Sequence, residues 1–127
     1  HRFKIRLNSG SGGPSCVQAA VLLEGDYDLI NEVPDNLTFY KDNFYTADCS
    51  LVSDSYGMGS PQVFMSNWWS YSGCVATTMV PFIIQLEDGN TIKLRVEEYY
   101  QEGQQNCNEN DAMGTGGANL KVRWAFL

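Results

Sequence analysis

Apolar and polar residues alternate with a period of two along several parts of this chain. Phe3, Ile5 and Leu7 alternate with Lys4 and Arg6, the signature of a strand with one buried face. Val80, Phe82, Ile84 and Leu86 alternate along a second segment. Ile92, Leu94 and Val96 alternate along a third, with Lys93, Arg95 and Glu97 expected to face solvent. Between those two, Glu87-Asp88-Gly89-Asn90 reads as a hairpin turn, because Asp-Gly accepts the positive φ that tight turns need. Pro81 suits strand entry, where its missing N–H breaks no ladder bond. Near the end, Leu120, Val122, Trp124 and Phe126 share one face opposite Lys121 and Arg123.

The rest of the chain patterns less sharply. Residues 8–15, rich in Gly and Ser with one Pro, read as a loop. Residues 17–23 fit a strand or a short helix, and the Ala19-Ala20 pair leaves both open. Residues 24–60, rich in Asp, Asn, Tyr and Ser, read as loops with short elements. Residues 63–71 carry Phe64, Met65, Trp68, Trp69 and Tyr71 and read as an aromatic strand. Residues 101–117 read as a polar connection holding Cys107. Neither a repeat nor a linker stands out, so residues 1–127 are expected to form a single β domain. Its architecture is all-β and mostly antiparallel, closed as a sandwich or barrel.

Composition narrows the function. With 127 residues and 43% hydrophobic content the chain can bury a core. No apolar stretch approaches the roughly 18 residues of a spanning helix. Net charge is −7 with only 8 Lys and Arg, which argues against a phosphate-binding surface and against nucleic acid as a partner. A single histidine, His1, excludes a bis-histidine metal site and an interior Ser-His-Asp triad. No phosphate-binding loop motif is present. Fifteen Asp and Glu could supply an acid–base pair, but no activated nucleophile accompanies them. The expectation is a binding protein, not an enzyme.

Cys16, Cys49, Cys74 and Cys107 are widely separated, with no C-x-x-C pair. In a small acidic chain they read as two disulfides and an extracytoplasmic location, with three connectivities open. The competing reading is a thiolate metal site, whose ligands ordinarily come in close pairs.

Three segments together resemble the HmuY-like haem-binding family. Arg2-Phe3-Lys4-Ile5-Arg6-Leu7-Asn8-Ser9-Gly10, followed by glycines, is similar to one family segment. Trp69-Ser70-Tyr71 and the hairpin over residues 80–100, ending in Tyr99-Tyr100, are similar to another. Residues 120–126 sit where the family has its final strand. The resemblance implies an all-β, secreted or outer-membrane bacterial protein that binds haem and works beside an outer-membrane receptor. Well-known members hold the iron between two histidines, and this chain has no interior histidine. Relatives with methionine ligands exist, and Met58, Met65, Met79 and Met113 are available. A thioether is a soft axial ligand for haem iron. Met79, just before Pro81-Phe82, lies near where the family places one ligand. Met65, beside Trp68 and Trp69, or Met58, between Gly57 and Gly59, is the candidate for the other. Phe64, Trp68, Trp69, Tyr71 and Phe82 could flank the ring. The plainer reading makes Met65 core filler and Met58 and Met79 loop residues.

The remaining features are weaker. His1 offers an amine and an imidazole to copper, although a cleavage boundary explains it more simply. Asp26, Asp28, Asp35, Asp42, Asp48 and Asp54 include calcium-type ligands but form no calcium-loop motif, so a solvated acidic face is the simpler reading. Asn36-Leu37-Thr38 is a glycosylation sequon. The chain opens without Met or a signal peptide and reads as processed or incomplete. The family carries a Trp-containing strand before the Arg2 segment, so the resemblance implies that a strand is missing here. A bare apolar edge invites aggregation. The gap is therefore expected to be filled by a companion fragment or a neighbouring subunit. That expectation also supports a second reading, a structural or assembly subunit completed by a strand from another chain. Thiol titration of denatured, unreduced protein should find no free cysteine. Two or more free thiols would contradict the disulfide reading and favour a metal site.

Overall fold

A computed structural model describes residues 17–40, 48 and 64–127. Its elements run β1 (Gln18–Val21), a 3-10 turn (Tyr27–Leu29), a second 3-10 stretch (Phe64–Trp68), β2 (Trp69–Tyr71), β3 (Val75–Thr77), β4 (Phe82–Gln85), β5 (Thr91–Glu98), α1 (Gln104–Asn110) and β6 (Lys121–Phe126). A four-stranded sheet has the order β1-β4-β5-β6, and β2-β3 form a separate two-stranded ribbon. Every pairing is antiparallel. The larger sheet is open, so of the two expected architectures the described residues form the sandwich-like one rather than a closed barrel. The segment over Phe3, Ile5 and Leu7 lies outside the described residues.

Register decides which side chains form the core. Ala19, Ile84, Ile92 and Phe126 lie in one row across the sheet, and Val21, Phe82, Leu94 and Trp124 in the next. This face packs against Met65, Trp68, Val75 and the Cys74–Cys107 pair, with Val96, Tyr99 and Tyr100 completing the cluster. The hairpin turn forms as the sequence predicts. Gly89 has φ 87°, Leu86 N–H donates to Asn90 O at 2.8 Å, and Asn90 N–H donates to Asp88 Oδ1 at 2.9 Å.

The opposite face differs from the alternation pattern. Lys93 and Arg95 do not simply face solvent. They lie over the ring of Tyr27, with Lys93 Nζ 4.3 Å and the Arg95 guanidinium carbon 5.0 Å from its centre. Arg123, paired with Arg95 across the ladder, joins them at 5.1 Å. Lys93 Nζ also donates to Tyr27 O at 2.8 Å. Glu97 pairs with Arg95 at 2.7 Å and Asp28 with Arg123 at 3.2 Å, so two of the three clustered cations have a carboxylate partner. A ring face attracts cations by about 0.5–2 kcal/mol each. The 3-10 turn at Tyr27 thus covers the second face, and Phe82, Ile83 and Ile84 are all buried. A strand covered on both faces reads as a continuous apolar run.

Two further expectations are corrected. Of the segment 63–71, the described residues form a strand only over Trp69–Tyr71, after a 3-10 stretch that buries Met65 and Trp68, three positions apart, and exposes Ser66 and Asn67. The polar connection over residues 101–117 contains α1. Its cysteine is bonded: Cys74 and Cys107 form a disulfide that closes a separation of 33 residues. Chain-entropy arguments put such a closure at about 3–4 kcal/mol. Cys16 and Cys49 lie outside the described residues. In β6 the shared apolar face is present, but Val122, Trp124 and Phe126 are exposed. Phe82→Ala should therefore cost about 3–5 kcal/mol, and Trp124→Ala about 1 kcal/mol or less. Chemical denaturation of both variants checks the contrast.

Candidate functional site

A cleft of about 600 Å³ opens beside the β2-β3 ribbon. Three parts of the chain build it. β2 supplies Trp69 and Tyr71, and β3 supplies Val75. The two positions that follow β5 supply Tyr99 and Tyr100. The segment after α1 supplies Met113, Gly114 and Gly117. Among the described residues no charged side chain lines it. Its volume falls within the roughly 300–1,000 Å³ range of small-molecule sites.

The tyrosines form the rigid wall. Their rings meet edge to face at 4.9 Å and 81°. Tyr99 also lies 6.3 Å from the buried Trp68, which in turn lies 6.4 Å from Trp69. Tyr100 Oη accepts the Val75 N–H at 3.0 Å, tying this wall to β3. Packed aromatic rings hold their positions better than flexible side chains of similar size.

The Met113 segment sits tightly on that wall. Glu102 and Thr115 exchange backbone hydrogen bonds at 3.2 and 2.9 Å. Gln101 N–H donates to Gly116 O at 2.9 Å, and Asn119 N–H to Tyr99 O at 2.9 Å. The glycine at 114 is required by contact: a Cβ there would lie 2.5 Å from Glu102 O and 2.6 Å from Tyr100 Cγ. This close seating leaves Met113 at the mouth of the cleft, 68% exposed. Its thioether is the one soft donor among the described residues of the lining.

Two of the methionines expected as ligands, Met65 and Met79, lie elsewhere. Met65 is 1% exposed, inside the core. Met79 has the left-handed φ of 62°, and its sulfur lies 3.7 Å from the Thr77 hydroxyl oxygen. It lines a different, polar hollow of about 330 Å³ beside Asp26 and Arg95. Met58 and His1 lie outside the described residues. Of the aromatic flanks suggested by sequence, Trp69 and Tyr71 line the cleft, whereas Trp68 and Phe82 are buried in the core. Met113 was available as a thioether but had no position assigned. Its signal was an apolar residue in a polar segment, followed by Gly114, Gly116 and Gly117. Among the described residues no group of three or more His, Cys, Asp or Glu side chains comes together, so the calcium expectation finds no support.

The described fold is a two-layer, mainly antiparallel β domain with one structural disulfide and an aromatic cleft. The sequence profile of a family described as HmuY protein matches residues 1–110. This chain belongs to the HmuY family. Met113 and its segment lie just beyond the matched residues. Among solved structures, the fold is similar to that of a candidate HmuY-like haem-binding protein from Bacteroides vulgatus. The TM-score is 0.52 at 13% identity, over 98% of this chain and 66% of that one. This chain therefore spans just under two thirds of that neighbour's length. No curated protein matches the sequence. Among the described residues no helix is long and apolar enough to cross a membrane.

Gly114→Ala should push the Met113 segment off Tyr100 and lower stability by about 1–3 kcal/mol. Thermal unfolding of this variant, beside Gly89→Ala at a turn glycine with open space around it, separates contact from backbone strain. Gly114→Ala should be the more damaging of the two.

Proposed function

We propose that this domain binds haem without catalysing a reaction, as an extracytoplasmic member of its family. The observation that carries the reading is the cleft itself: aromatic walls and, among the described residues, no charged lining and one exposed thioether. These residues fit a porphyrin. Trp69, Tyr71, Tyr99 and Tyr100 offer apolar and π surface to a planar ring. Met113 offers a ligand to its iron, and methionine ligation is chemically suited to haem. The bound group would supply the iron, and the protein supplies apolar enclosure and orientation.

Family membership and the similar fold of the B. vulgatus protein support haem as the ligand. The disulfide supports a location outside the cytoplasm, at the cell surface or beyond it. Transfer to or from an outer-membrane receptor is the partner relation that this reading implies. The second hollow, with Asp26 and Arg95 in its wall, suits a porphyrin less well, because charged walls must be desolvated against an apolar ring.

Titration of the purified apoprotein with haemin should produce a Soret band at one equivalent. Met113→Ala should shift that band and weaken binding at least tenfold. Met79→Ala, at the other hollow, should stay within about twofold of wild type. If wild type takes up no haemin, or Met113→Ala binds unchanged, the reading fails.

A further inference from the structure

We propose that Gln104 is the positioning residue that sets the shape of the cleft, through both halves of its amide. The residue is 7% exposed and its side chain makes four hydrogen bonds. Its Oε1 accepts the Tyr99 N–H at 2.7 Å and the Tyr100 N–H at 3.1 Å. Its Nε2 donates to Val75 O at 3.0 Å and to Asn108 Oδ1 at 2.9 Å. An amide has two donors and two acceptor sites, so this one is fully used. Turning it over would aim N–H groups at N–H groups, and only one orientation is permitted.

The partners are the lining of the cleft. Tyr99, Tyr100 and Val75 all form its wall, so one side chain fixes the spacing between the β3 wall and the β5 wall. Asn108, one turn along α1 on the same face, extends the tie. It accepts the Thr77 N–H at 2.9 Å and donates to Thr77 Oγ1 at 2.9 Å. Thr77 Oγ1 in turn donates to Glu97 O at 3.0 Å. The disulfide holds the helix near β3 but has no directional bond to the tyrosines. A buried network with every partner satisfied specifies one geometry.

The effect of Gln104 on ligand uptake rests on the haem reading, while its effect on the tyrosines does not. The test therefore has two arms. Amide hydrogen exchange of the apoprotein should show Tyr99 and Tyr100 exchanging at least tenfold faster in Gln104→Ala, with the Val96 amide unchanged. Gln104→Glu keeps an acceptor for both N–H groups and should recover most of the protection, and it also serves if the alanine variant folds poorly. Haemin affinity should fall at least fivefold in Gln104→Ala. Ile83→Val, a core change on the other face of the sheet, should lower stability while leaving affinity within twofold. Unchanged exchange, equal acceleration at Val96, or local acceleration with unchanged affinity would overturn the proposal. Failure of wild type to bind haemin would overturn the haem reading, and the exchange arm would still decide the role of Gln104.

Discussion

Helix α1 has no apolar face of its own. Its residues are Gln, Asn and Glu apart from Cys107, so burial cannot hold it in place as it holds most helices. Two things substitute. The Cys74–Cys107 bond fixes its distance from β3, and the amide of Gln104 fixes its rotation against Tyr99, Tyr100 and Val75. With the helix placed, the chain leaves it through Asp111 in the left-handed conformation, φ 57°. It then returns along Tyr99 to Glu102 and sets Met113 at the mouth of the cleft. The cleft is thus a product of covalent and polar ties laid over a hydrophobic sheet.

The two faces of that sheet solve different problems. One buries a conventional core of Phe82, Ile84, Val96, Met65 and Trp68. On the other, Lys93, Arg95 and Arg123 gather over Tyr27. In a chain with only 8 Lys and Arg against 15 Asp and Glu, three cations on one ring are a concentrated investment. Glu97 and Asp28 balance two of them, and the aliphatic stems of the side chains help cover Ile83. The polar hollow lined by Arg95 and Met79 belongs to this charged side, which separates it chemically from the aromatic cleft.

Much of the fold was legible because alternation reports burial directly. The β4-β5 hairpin, its Asp88-Gly89 turn and the strand near the end all follow from period-two patterning. The aromatic segment before Tyr71 misled because a short apolar run does not distinguish a strand from a turn of helix. The three-residue spacing of Met65 and Trp68 was the discriminating detail. Helix α1 was not legible, since it lacks any apolar period. The cleft was half legible. Trp69 and Tyr71 stood out as aromatics, but Met113 was not singled out, because what places it is the glycine contact at Gly114 and the backbone ladder to Glu102. Such contacts between distant segments leave little trace in local sequence. Met79 precedes Pro81 in the chain, near where the resemblance implies a ligand, whereas in space it faces the other hollow.

The central claim is that a planar ligand enters between Trp69, Tyr71, Tyr99 and Tyr100. Chemical-shift mapping with gallium protoporphyrin, a diamagnetic stand-in for haem, tests it most directly. The account predicts that the largest perturbations fall on Trp69, Tyr71, Tyr99, Tyr100, Met113 and Gly117, with Tyr27, Lys93 and Arg95 unmoved. Perturbations centred on Tyr27, Met79 and Arg95, or none anywhere, would contradict it.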